Sequence, residues 1–181
     1  VTNFERRLQA EWELLQRLAR LNPSRLTDLS VEDRLFRLTL RETSARLARA
    51  IPDGPVTVHH LRVIYPTYFP AVPLEVYVDN AFWHPNVHPE TGFVCIWEQH
   101  RVDHTVEHAL HKVVAMVGGR LYNREALHVM QPGALDWIEQ WNDGDLTRDR
   151  VKPLIGVAHD TFALDRFAAD QGIPKRRRRL S

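Results

Sequence analysis

The chain has 181 residues, 44% of them apolar and 26% charged, which suits a globular protein with one substantial core and excludes a disordered or collagen-like chain. Its formal net charge of +1 hides an asymmetry: Lys175–Arg179 contributes five positive charges at one end, so the rest is mildly acidic and not built as a nucleic-acid binder. A single cysteine, Cys95, excludes an internal disulfide and fits a reducing compartment.

No apolar run approaches the about 18–20 residues that cross a membrane. The start shows no basic, apolar and small-residue signal pattern. Together these predict a cytoplasmic protein without a membrane partner. Arginine outnumbers lysine, with Lys112, Lys152 and Lys175 the only lysines. Base composition explains that bias.

Residues 3–21 predict a helix. Asn3 is placed to cap it, and Phe4, Leu8, Trp12 or Leu15, and Leu18 recur on one face. Asn22-Pro23 ends it. Arg6, Arg7, Arg17 and Arg20 lie largely on the other face, as a solvated surface or a partner contact. From Leu26 to Thr43, Leu29 and Val31, then Leu35 or Phe36, Leu38 and Leu40 suggest two strands turning at Glu32-Asp33. A helix over residues 31–50 competes, because Arg, Leu and Ala are good helix formers. Pro52-Asp-Gly-Pro55 is a turn signal. A strand from Val56 to Ile64 follows, with Val56, Val58, His60, Arg62 and Ile64 on one face.

Tyr65–Pro73 carries prolines at 66, 70 and 73, which remove three backbone donors and exclude an inner strand. Leu74, Val76 and Val78 then alternate with Glu75, Tyr77 and Asp79 as a strand. Residues 80–103 show little periodicity. They hold His84-Pro85-Asn86 and, after Gly92, Cys95. A long irregular segment within a compact domain is usually functional. From Asp103 or Thr105 a helix runs to about Val117 on a stripe of Val106, Leu110, Val113, Val114 and Val117, stopped by Gly118-Gly119. Residues 120–130 form a connection with some helical character. Pro132–Asn142 is a helix, Asn142–Asp145 a break, and Thr147–Ala169 one or two last helices. The domain is expected over 1–171, with a basic, disordered tail at 172–181.

The segment from Tyr65 to Trp97 resembles the centre of a ubiquitin-conjugating enzyme. Tyr65-Pro66, Phe69-Pro70, Pro73, the strand, His84-Pro85-Asn86 and Gly92-x-x-Cys95 stand in that family's order. The match is specific over roughly residues 60–100 and extends in element order over about 2–145. It implies an α+β fold: an N-terminal helix, a four-stranded antiparallel meander (hence strands, not helix, after Leu26) and C-terminal helices.

It also implies a transferase that accepts a ubiquitin-like protein as a thioester on Cys95 and passes it to an amine of a target. No cofactor or metal of its own is implied. The activating enzyme would dock on the N-terminal helix, through Arg6, Arg7 and Arg17. The arginine bias points to a bacterial member, and bacterial relatives include antiphage conjugation systems. A non-catalytic binding module of the same fold, docking a ubiquitin-like protein or a partner enzyme, is the alternative; a lone cysteine at this place argues against it.

A thiol suits this chemistry because a thioester divides one hard acyl transfer into two easier ones. Asn86 would stabilise the oxyanion or hold the active-site loop. His84 is implied to be structural within the catalytic motif, and Pro85 to fix the path. Three features depart from the family. One extra residue separates Asn86 from Cys95. Ile96-Trp97-Glu98 follows the cysteine, and a Trp-x-Pro before the next helix is missing. Glu98, Asp103 and Glu125 are candidates for the acid that aids amine attack. His104, His108 and His111 share helical spacing, yet no zinc motif accompanies them, so a metal is not expected. A Cys–His protease would need a histidine beside Cys95 with Asn or Asp behind it, and no protease signature is present.

Overall fold

The computed structural model describes residues 2–41, 49–50, 54–141 and 152–156. The expected helices over 147–169 and the tail at 172–181 lie outside them.

Helix α1 spans Asn3–Leu21. Thr2, not Asn3, caps it: Thr2 Oγ1 accepts the Glu5 N–H (3.1 Å) and Glu5 Oε2 accepts the Thr2 N–H (2.6 Å), a reciprocal capping box. Leu15 and Leu18 are buried, with Phe4, Leu8 and Trp12 packed beside them. At the other end, the Asn22 amide donates to Leu18 O (2.8 Å) and exchanges two bonds with the backbone of Ile155 (2.9 Å each), which fastens residues 152–156 to the helix.

Strands β1 (Leu26–Glu32), β2 (Leu35–Arg41), β5 (Val58–Ile64), β6 (Glu75–Val78) and β7 (Phe93–Val94) form one antiparallel sheet in the order β1-β2-β5-β6-β7. The expected four-strand meander is present, extended by the short β7. A separate two-residue ladder joins β3 (Arg49–Ala50) to β4 (Gly54–Pro55). Residues 31–41 are strand and turn, so the helical alternative fails there.

A bulge between Thr27 and Ser30, with Asp28 at φ 56°, resets the alternation of β1. Leu26 is therefore buried, whereas Val31 faces solvent. On β5 the buried face is His59, Leu61 and Val63, opposite the face of His60 and Arg62. These residues join Phe36, Leu38 and Leu40 of β2 and Val76 and Val78 of β6 in the core.

Helix α2 (Val106–Val117) is buried on every side except at Glu107 and His108, so its stripe is wider than the spacing suggests. Glu11 of α1 caps it, its Oε2 accepting the Val106 N–H at 2.7 Å. Residues 120–130 contain no helix, and α3 spans Pro132–Trp141. Trp137 of α3 stacks on Trp83 at 5.6 Å between ring centroids. Among the described residues, no helix is long and apolar enough to cross a membrane.

Candidate active site

Cys95 follows directly on β7, the edge strand beside β6. Gly92 makes that approach possible. Its φ is 71°, and a Cβ there would lie 1.9 Å from the Val78 carbonyl oxygen, where no side chain fits. The loop between Asn86 and Cys95 carries a turn closed by His88, whose Nδ1 accepts the N–H groups of Glu90 and Thr91 at 3.2 Å.

The His84-Pro85-Asn86 tripeptide clamps a distant segment, residues 121–131, against the cysteine. His84 Nε2 donates to Leu121 O (3.1 Å) while its Nδ1 accepts the Asn86 N–H (3.1 Å). Pro85 O accepts the Met130 N–H at 2.7 Å. Asn86 Nδ2 donates to both Asn123 O and His128 O (2.9 Å each), and Asn86 Oδ1 accepts the Asn123 N–H (2.7 Å). The carbonyl of Asn86 accepts the Cys95 N–H at 2.9 Å. One residue thus holds the cysteine with its backbone and the facing segment with its side chain.

Of the two roles open to Asn86, this geometry favours the loop-holding one, since both amide hydrogens are committed to carbonyls. His84 is fully buried, and burial holds its pKa at about 4. It is neutral near pH 7 and has both ring nitrogens engaged, one with Leu121 O and one with the Asn86 N–H.

Cys95 is half-buried and lines a small pocket together with Asn86, Trp97, Glu98, Tyr122, Asn123 and His128. Its Sγ lies 3.1 Å from His128 Nδ1, and His128 Nε2 lies 3.6 Å from Glu125 Oε2. Burial pushes the Cys95 thiol above its ordinary pKa, and Lys112 pulls the other way. Lys112 itself is buried in α2. Its Nζ donates to Ile96 O (2.9 Å) and sits 5.1 Å from the centre of the Trp97 ring. Desolvation lowers its pKa to about 8, with Glu98 and Cys95 opposing.

Sequence reasoning missed His128 and Lys112. His128 stands 33 residues from Cys95 with no motif around it; the burial of Lys112 within an apolar helix was its only signal. Of the three candidate acids, Glu98 lines the pocket, Glu125 faces His128, and Asp103 pairs with Arg101 (2.6 Å). His104 stacks on Trp97 at 4.5 Å, and His108 Nδ1 accepts the Thr105 N–H at 3.0 Å. Among the described residues, no group of three or more His, Cys, Asp or Glu is arranged to hold a metal.

Of the four arginines of α1, the three expected to meet a partner divide. Arg6 and Arg17 are exposed, Arg17 meeting Glu107 at 3.2 Å. Arg7 turns inward: it pairs with buried Glu11 (2.9 Å), donates to His104 O (3.1 Å) and covers the Phe69 ring. Arg7, expected as a partner contact with Arg6 and Arg17, is thus also engaged at the α1–α2 junction, with its side chain 30% exposed.

No family model and no curated relative matches the chain. Solved structures do. A Trypanosoma cruzi protein designated a ubiquitin conjugating enzyme superposes with TM-score 0.59 at 14% identity, covering 79% of this chain and 93% of that one. A Plasmodium yoelii protein of the same designation gives 0.54 at 15% identity, over 80% and 86%. The H. polymorpha ubiquitin conjugating enzyme Pex4p, solved with the soluble domain of Pex22p, gives 0.57 at 16%, over 83% and 97%. The chain has the ubiquitin-conjugating-enzyme fold. Within that fold, the described residues put Cys95 at the end of the sheet's last strand, facing the segment that precedes α3.

Proposed function

We propose that this protein accepts a ubiquitin-like protein as a thioester on Cys95 and transfers it to an amine of a protein target. The observation that carries the reading is the seating of the only cysteine, half-exposed, in a pocket held by His84-Pro85-Asn86. The fold supports it independently. In the first step Sγ attacks the carbonyl of the carrier's thioester on an activating enzyme. A new C–S bond forms, the old one breaks, and the activating enzyme's thiol leaves. In the second step an amine attacks the Cys95 thioester, forming an amide and returning the thiol. ATP is spent by the activating enzyme, and neither step calls for a cofactor here.

Arg6 and Arg17, exposed on α1, are the proposed docking residues for that enzyme. A cytoplasmic setting rests on the lone cysteine and a bacterial antiphage one on the sequence resemblance, and phage-plating efficiency with and without Cys95 tests the latter.

The direct test is a trap. Cys95→Ser, mixed with ATP, an activating enzyme and ubiquitin-like protein from the neighbouring genes, should form an ester adduct that survives thiols. If wild type charges and Cys95→Ser forms no adduct, direct attack by this residue is contradicted. A non-catalytic binding module would instead keep its partner affinity in Cys95→Ala and never form an adduct.

A further inference from the structure

The side chain facing Cys95 has more geometry than a structural neighbour needs. His128 Nδ1 lies 3.1 Å from Sγ, and the ring's other nitrogen points at the Glu125 carboxylate, 3.6 Å away. For Nδ1 to accept the thiol proton, a neutral imidazole must carry its hydrogen on Nε2, the nitrogen that Glu125 faces. The backbone that carries His128 is pinned at its carbonyl by Asn86 Nδ2. Nucleophile, base and orienting carboxylate thus stand in sequence, the base and the carboxylate three residues apart in the segment that faces Cys95.

We propose that His128 is a catalytic base of this site, and that Glu125 is its positioning residue. The inference rests on the acyl-transfer reading and deepens it. As Sγ attacks the incoming thioester, its proton moves to His128 Nδ1, and the imidazolium returns that proton to the departing thiol's sulfur. In the second step the attacking amine forms the C–N bond, Sγ leaves as the C–S bond breaks, and His128 passes the amine proton to Sγ. Bonds and protons balance, with no oxidant or reductant.

The need for a base follows from the surroundings. A half-buried thiol held above its ordinary pKa is mostly protonated at neutral pH, and Lys112 offsets this only in part. Four groups face the pair: Glu125 and Tyr122 from the 121–131 segment, Glu98 beyond Cys95, and Lys112 from α2.

The test needs no partner protein. The full chain is acylated by a small blocked glycylglycine thioester of mercaptoethanesulfonate, and Cys95 acylation is followed by intact mass from pH 6 to 9. His128→Gln should slow acylation about 100-fold at pH 7, the usual scale for general-base catalysis. The deficit should shrink as pH rises and thiolate forms without help. The ionisation of Lys112 is common to both proteins, so the difference profile reports His128.

His128→Gln keeps the backbone carbonyl that Asn86 holds, and its melting curve checks that the fold survives. Glu125→Gln, at an exposed residue, is the second variant. It should slow acylation several-fold and change the pH profile, with Glu125→Asp recovering part of the rate. Equal rates and pH profiles for wild type and His128→Gln would overturn the base. If His128→Gln does not fold, an unchanged pH profile in Glu125→Gln would overturn the pair. Slow acylation in the variant, with no ubiquitin-like adduct ever formed by wild type, would sink the conjugation reading and leave the base standing. Normal protein charging in His128→Gln would do the reverse.

Discussion

Asn86 spends its whole amide on the chain that faces Cys95. Replacing it by alanine removes two donors and leaves the Asn123 N–H and two carbonyls without their partners. Buried groups orphaned in this way cost about 1–3 kcal/mol each at most, and water entering the pocket recovers part. Asn86→Ala should therefore lose about 2–4 kcal/mol of unfolding free energy in urea, by the same reckoning. It should also lower the reactivity of Cys95 toward iodoacetamide, because His128 is no longer aimed. A residue acting only on the oxyanion would leave the urea midpoint in place and slow acyl transfer alone. At this scale the sequence was legible where the motif is local. His84, Asn86, Gly92 and Cys95 lie within a short stretch whose turn chemistry is written in residue types. His128 was not legible, since its role comes from a fold that closes 33 residues of chain.

The junction of α1 and α2 is the element-scale counterpart. Glu11 sits in the apolar stripe of α1, only 1% exposed, because it accepts the first N–H of α2 and pairs with Arg7. It places a carboxylate at a helix N-terminus, where the macrodipole favours negative charge. Glu11→Ala strands that N–H and the Arg7 guanidinium. Arg7 is 30% exposed and re-solvates in part, so the loss should be about 2 kcal/mol, below that of a fully buried pair. A melting temperature equal to wild type would show that the junction contributes nothing. Helical spacing revealed both helices, but a glutamate inside an apolar stripe looks like an interruption until α2 is seen above it. β1 and β7 were harder for other reasons. A bulge at Asp28 breaks the alternation of the first, and two residues are too few for periodicity in the second.

For the molecule as a whole, buried histidines contribute to the response to acid. His104, with a pKa of about 4, acts in the same direction as His59 and His84. His59 and His84 are held neutral by burial, each with a pKa of about 4 against an ordinary 6.5. The unfolded chain therefore binds protons between these values that the folded chain refuses. Their contribution is complete above about pH 6.5 and is lost as pH falls toward 4, by up to about 1.4 kcal/mol per pH unit for each residue. Glu11, whose pKa burial raises, works in the opposite direction. The urea midpoint should be lower at pH 5 than at pH 7.5. His59→Leu, which packs an apolar side chain beside Phe82, should narrow that gap. Equal midpoints at the two pH values would contradict the burial of both rings. Among the described residues the order of helix, meander and two further helices was legible, because strand alternation, proline punctuation and helical stripes agree with one another.

Intact mass of the wild-type chain after incubation with ATP, its activating enzyme and a ubiquitin-like protein tests thioester formation at Cys95 most directly. An increase by one carrier protein less one water, removed by hydroxylamine and missing in Cys95→Ala, is the predicted result. An unmodified chain beside an activating enzyme that has demonstrably charged itself would contradict it.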